Sequence, residues 1–187
     1  MNILTDKLPT KIKVNDHIYP INYDFRTVIR ILQAFEDNEL TDSEKVYIML
    51  KNLYKDEIPE DDYEEASIKA VKFIDLGENQ VKESSKARTY SFKKDGNYIF
   101  TGINATHHTD VEKESDLHWW KFMSMFMDMS PDCFFGELVY YRRRKAEGKL
   151  TKDEKKKYEE IRDMVELEDV HVQSEARKKF FEEFHKK

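Results

Sequence analysis

From Phe25 onward, apolar residues recur with the period of an α-helix. Phe25, Val28, Ile29 and Leu32 stand at i, i+3, i+4 and i+7, and Ile31 and Phe35 widen the stripe. Arg26, Arg30, Gln33 and Asp37 take the wet side, and Asp24 is placed to cap the start. Thr41-Asp42-Ser43-Glu44 then has the order of a capping box, and Val46, Met49, Leu50, Leu53 and Tyr54 follow as the inner face of a second helix. Ile58-Pro59 breaks that helix. The acids Glu60 to Asp62 suit the first turn of a third, which runs to about Leu76 with Tyr63, Ala66, Ala70, Val71 and Ile74 inside, until Gly77 stops it. Upstream, Lys11–Val14 and His17–Ile21 flank Asn15-Asp16. They read as a small hairpin with Ile12, Val14, Ile18 and Tyr19 half-buried and Pro20 limiting the second strand to an edge.

The most apolar stretch is 117–144, LHWWKFMSMFMDMSPDCFFGELVYYRRR. On a helical wheel, Leu117 to Met129 leaves only a narrow polar stripe through His118, Lys121, Ser124 and Asp128. A helix apolar on nearly all sides is buried, spans a membrane or meets a partner, and a bilayer needs roughly 20 residues. The pattern therefore predicts a core helix, one that also faces a partner if its surface is not all covered. Ser130-Pro131 reads as the cap and first residue of the next helix. That helix carries Phe134, Phe135, Leu138 and Val139 on one stripe and ends in the cations Arg142 to Lys145, so the two helices suggest an antiparallel hairpin.

Between these regions, 78–88 is charged and aperiodic, a linker pattern. Residues 89–106 carry two competing signals. Tyr90 and Phe92, then Tyr98 and Phe100, alternate around Asp95-Gly96 as in a β-hairpin, while Ile99, Ile103 and Thr106 share a helical face that Gly102 weakens. After Gly148, Thr151-Lys152-Asp153-Glu154 is a second capping box, opening a thinly packed helix to about 167. A last amphipathic helix from about Ser174 places Ala176, Phe180 and Phe184 in one row. The fold class is thus mainly α, a multi-helix bundle-like domain with a small N-terminal β-hairpin. The division suggested is a lobe at 1–77, a charged linker at 78–95 and a lobe at 96–187 around the LHWW helix, with a single domain as the other reading.

Charged residues make up 37% of the 187 residues, well above the usual ~25%. Only 5 Gly and 4 Pro are present, which suits long solvated helices. The net charge of −6 resides in residues 1–80, and the remainder is nearly neutral, so no half resembles a phosphate-backbone binder. One cysteine, Cys133, cannot form an internal disulfide and fits a reducing compartment. The start has no secretory pattern, and no run is long enough to span a membrane. Candidate chemistry is sparse. His107-His108 are adjacent and diverge on a helix or strand, with no third ligand at metal spacing. Cys133 beside Phe134 reads as a core thiol rather than a nucleophile partnered by His118. The carboxylates lie on solvated faces, so neither cofactor nor catalysis is expected. The basic run Arg142 to Lys157 is interspersed with Glu147, Asp153 and Glu154, which favours a solvated face or a protein-partner surface over nucleic acid.

The run YDFRTVIRILQAFEDNELTDSEKVYIMLKNLYKDEIP, a third helix, DLHWWKFMSMF and a helix ending in YRRRK resemble the "gene product fifteen" family of siphophages and prophages of Gram-positive bacteria. The resemblance covers roughly residues 10–145, and His118 to Phe122 are its most specific part. It favours a helix at 89–106, although SFKKDGNYIFTGINATHH looks less helical than is usual there, and 78–88 and the last 40 residues match none of the pattern. The family is encoded between the tail-tube and tape-measure genes. The resemblance therefore implies a non-catalytic tail assembly chaperone in the host cytoplasm, absent from the mature virion. The partners it implies are the tape-measure protein, the tail-tube protein or a sister tail assembly chaperone, with a homo-oligomer open and fusion by frameshift undetermined. Residues offered to a partner are Trp119, Trp120, Tyr140, Tyr141, Arg142, Arg143 and Phe180, with at least one of the two tryptophans expected in the core. The other readings are a structural component retained in the tail and a nucleic-acid-binding regulator.

Overall fold

A computed structural model describes residues 3–77 and 87–167. The described chain is mainly helical: a two-stranded antiparallel hairpin precedes eight α-helices. The expected helix from Ser174, with Phe180 and Phe184, and most of the 78–88 linker lie outside the described residues. The chain divides into two compact units. Among the described residues, unit 1 comprises 3–77 and 115–123, and unit 2 comprises 87–114 and 124–167.

In unit 1, β1 (Lys11–Val14) and β2 (His17–Pro20) pair with Ile12 opposite Tyr19 and Lys13 opposite Ile18. Cross-strand partners share a face. Ile12, Val14 and Tyr19 therefore point inward, while Ile18, expected to be half-buried, is 65% exposed beside Lys13. Asn15 takes the left-handed φ of 49° that the tight turn requires. Helix α1 (Phe25–Glu36) is capped by Asp24, whose carboxylate accepts from the Arg26 N–H at 2.8 Å. Its deepest residues are Phe25, Val28 and Ile31. Helix α2 (Asp42–Leu53) opens on the expected capping box: Thr41 Oγ1 accepts from the Glu44 N–H and Glu44 accepts from the Thr41 N–H. A 3-10 turn (Glu60–Asp62) leads into α3 (Tyr63–Ile74). Ala66 and Ala70 are fully buried on α3, and such short side chains let β1 and α2 approach its backbone. Leu76 (φ 60°) and Gly77 (φ 83°) then end it in a left-handed turn, with the Gly77 N–H returning to the Lys72 carbonyl.

In unit 2, residues 96–107 are helical. Helix α4 (Gly96–His107) buries Ile99, Gly102 and Ile103 and ends on His108 at φ 50°. The hairpin signal at Asp95-Gly96 loses because the Asp95 carboxylate is wholly buried in other hydrogen bonds, described below. Of the described residues assigned to the linker, 87–95, Ser91, Phe92 and Asp95 are buried, whereas Ala87, Lys93 and Lys94 are exposed. Helix α5 (Trp119–Met127) is shorter than expected and not covered all round, since Met127 is 64% exposed. Helix α6 (Phe134–Ala146) starts three residues later than the Ser130-Pro131 reading. Its N-cap is Cys133, whose Sγ accepts from the Gly136 N–H, while Ser130 Oγ accepts from the Asp132 N–H in the preceding turn. The buried stripe of α6 is Phe135, Leu138, Tyr141 and Arg142: Phe135 and Leu138 of the expected stripe are in it, Val139 is half-buried and Phe134 is 39% exposed. Its neighbours are α4 and α8, with α5 met at Phe126–Phe135 rather than along a hairpin. Gly148 (φ 67°) closes α6, and Thr151 and Glu154 form the second capping box, on α7 (Lys152–Glu160). The predicted helix to 167 breaks at Ile161 into α7 and α8 (Arg162–Val165). Leu138, Tyr141, Tyr158 and Val165 form the local core, with Tyr98, Leu150 and Ile161 packed against it.

Candidate functional site

The His118-Trp119-Trp120 element is built into unit 1. Its backbone joins the start of α1: the Phe25 N–H donates to the Leu117 carbonyl at 3.0 Å and the Trp119 N–H to the Tyr23 carbonyl at 2.8 Å. Both indole N–H groups find carbonyls at the end of α3, Trp119 Nε1 donating to Ile74 and Trp120 Nε1 to Phe73, each at 2.8 Å. A helix C-terminus leaves carbonyls without intrahelical partners. The two tryptophans donate there from adjacent positions, the Phe73 carbonyl also accepting from the Leu76 N–H, while Trp120 also stacks on Phe73. A Cβ on Gly77 would stand 3.1 Å from the Trp120 ring. Phe122 stacks on Phe25 with ring centroids 4.4 Å apart.

His118 is the hub. Its Nδ1 accepts from the Trp120 N–H at 3.0 Å, capping the head of α5, and its Nε2 lies 3.0 Å from the Pro9 carbonyl, to which it donates. Those two bonds specify the neutral tautomer with hydrogen on Nε2. Burial holds its pKa below the ordinary histidine value, although the Pro9 carbonyl pulls the other way. Tyr23 stacks on the ring and Phe73 meets its edge. Both tryptophans are buried, at 2% and 6% exposure, so neither presents its ring at the surface.

Unit 2 holds a second polar assembly, around Arg142. The guanidinium pairs with the fully buried Asp95 through two bonds, Nη1 to Oδ2 at 2.7 Å and Nη2 to Oδ1 at 2.8 Å. Nε donates to the Val165 carbonyl, Nη2 also to Met164, and Nη1 also to Thr89. All five donors of the guanidinium are therefore used. Asp95 Oδ2 accepts in addition from the Ser91 N–H. The residue expected among exposed cations instead ties α6 to the start of α4 and the end of α8. Tyr141 is buried beside it, whereas Tyr140 (47% exposed) and Arg143 lie at the surface of α6. The neighbouring cations are mostly paired: Arg144 with Glu154, Lys145 with Glu166, Lys149 with Glu147 and Lys157 with Glu137. Tyr140 donates to Glu154; that bond and the Thr151 capping box hold the Glu154 pKa down to about 2.

His107 Nε2 lies 2.9 Å from the Met125 carbonyl and His108 is the left-handed cap of α4, so each has a local structural role. Cys133 is half-buried at a helix cap rather than sunk in a helix. Among the described residues no group of three or more His, Cys, Asp or Glu could hold a metal ion, and no helix is long and apolar enough to cross a membrane. Sequence reasoning missed Phe73, whose ring and carbonyl both serve Trp120, because a residue contributing its carbonyl leaves no side-chain signal. It also missed the pairing of Asp95 with Arg142.

These features define a mainly helical protein whose most specific motif is an internal fastening. The family model described as Bacteriophage Gp15 protein matches residues 4–167, and the chain belongs to that family. No curated protein and no solved structure matches it.

Proposed function

We propose that this chain is a non-catalytic tail assembly chaperone that binds the tape-measure protein, or the tail-tube protein or a sister chaperone, in the cytoplasm of the host while the tail is built. The observation that carries the reading is the family match over residues 4–167. Physical chemistry supports it. A tape-measure chain is a long helix with apolar stretches that aggregate before the tube encloses them. A small, charge-dense helical protein covers such stretches by helix-in-groove contacts, and methionines suit a surface that must adapt. Met127 (64% exposed), Met164 (42%), Phe134 and Tyr140 supply apolar side chains at the surface of unit 2, and net negative charge keeps a coated complex dispersed.

Co-expression with the tape-measure protein encoded beside it tests this. The expected result is a soluble complex that co-elutes on size exclusion. Insoluble tape measure with no co-purification overturns it. Mass spectrometry of purified virions separates the chaperone, which is absent from them, from a retained tail component.

A further inference from the structure

We infer that the last residues of this chain, from about Ser174, dock on α1 and α2 of unit 1 and bring the Glu183 carboxylate to the Lys45 ammonium. Lys45 stands one turn before Met49 on the inner face of α2, a face that Met49 and Leu53 otherwise fill with apolar side chains. It is 2% exposed. A lysine on a helix ordinarily buries its stem and keeps the charged head in water, but at this exposure the head is nearly covered as well. Among the described residues its ammonium makes no ion pair and no hydrogen bond. Glu44, next to it, is committed to Thr41 in the capping box. Buried charges are paired in folded proteins because an unpaired one is costly to desolvate, and the head of a helix adds to the cost of a cation. The position therefore calls for an anion from outside the described residues. The same pair of helices leaves apolar surface part-covered: Leu32 and Phe35 of α1, Leu40 in the connection and Val46 of α2 are half-buried.

The tail of the chain supplies both needs. Ala176, Phe180 and Phe184 form one row of the helix that the sequence predicts there. Glu183 follows Ala176 by seven residues and Phe180 by three, so its carboxylate borders that row. Glu175 and Glu182 fall on the opposite side of the wheel. One occupant thus lays aromatic rings on half-buried apolar side chains and offers a carboxylate at their edge. Charge agrees: Arg177, Lys178 and Lys179 precede the aromatics, and the acids Asp37, Glu39 and Asp42 frame the connection between α1 and α2. Because the tail is tethered, it competes at an effective concentration that a free partner would have to exceed. The assignment concerns how the chain closes on itself and does not rest on which partner it serves.

Carbodiimide joins an ammonium to a carboxylate only when the two are in contact, and it can be applied to the full chain. The test uses an equal mixture of isotope-labelled and unlabelled chains, digested and read by mass spectrometry. The expected product is a peptide pair joining Lys45 to Glu183, both halves carrying the same isotope. Glu183→Gln should abolish it. Acylation by an amine reagent gives a second readout. In the native chain Lys45 should react far more slowly than the exposed Lys72. In the full chain with Phe180→Asp and Phe184→Asp it should lose that protection, with Lys72 and the tryptophan emission of unit 1 unchanged. Absence of the link, links from Lys45 to other carboxylates instead, or protection of Lys45 retained in the double variant would each overturn the assignment. Links that mix isotopes would overturn it too, by giving this surface to the tail of a second copy.

Discussion

Removing the guanidinium of Arg142 would leave the Asp95 carboxylate buried with no counter-charge, and would strip the Thr89, Met164 and Val165 carbonyls of their donor. Breaking a buried pair from one side costs about 3–5 kcal/mol, so Arg142→Met should lower unfolding free energy by that amount in a denaturant titration. Asp95→Asn in the same chain should add much less than its separate effect, because the two residues form one network. Additive losses would show that the pair is not coupled. His118 gives a prediction in pH. Its folded pKa lies below the unfolded value of ≈ 6.5, so folding favours the neutral ring. The stabilisation is complete above about pH 6.5 and is lost as pH falls below it, toward the folded pKa. A proton added at Nδ1 would face the Trp120 N–H, now its donor. Melting temperature should therefore drop between pH 7 and 5 in the native chain, and drop less in His118→Gln. Parallel profiles for the two would refute the assignment.

At the scale of elements, legibility in the sequence follows the distance between cause and effect. The capping boxes at Thr41 and Thr151 involve residues three apart, and both form as the pattern reads. The start of α6 did not follow from Ser130-Pro131, because Gly136 and Cys133 decide it. A Cβ on Gly136 would lie 2.3 Å from the Pro131 carbonyl oxygen, a close approach with no signature in residue spacing. Gly102 is similar: it weakens helix propensity, yet a Cβ there would press on Met129 and Cys133, so its absence allows α4 to approach that turn. Asp95 and Arg142 are 47 residues apart, which is why one read as a turn former and the other as a surface cation. The family motif itself was legible, but the job of its two tryptophans was not, since their partners are main-chain carbonyls. Gly136→Ala should cost about 1–3 kcal/mol, the usual penalty of overpacking. Gly96→Ala, whose Cβ would meet nothing within 4 Å, should be nearly neutral. Comparing the two melts measures the contact rather than the loss of glycine, and equal melting temperatures would remove the Pro131 contact as the cause.

For the molecule as a whole, charge distribution sets what a nucleic-acid titration should read. Phosphate binding is driven by release of counterions, and the logarithm of affinity falls with the logarithm of salt at a slope of about −0.9 per phosphate neutralised. A steep slope needs several cations free to meet phosphates. In this chain the strongest basic run does not offer them in a row: Arg142 is buried on Asp95, while Arg144, Lys145, Lys149 and Lys157 each have a carboxylate partner. Surface pairs of this kind are weak, so pairing alone would not prevent binding. The net charge of −6 adds a long-range repulsion that pairing does not remove. Duplex DNA or RNA titrated at low salt, read by fluorescence anisotropy, should therefore give a flat response. Saturable binding that weakens steeply with salt would show that Arg143, Lys152, Lys155 and Lys156 assemble a phosphate-reading face, and would favour a regulator over a chaperone. A flat response together with a soluble tape-measure complex would place the charge of this protein in the role of keeping an apolar client dispersed.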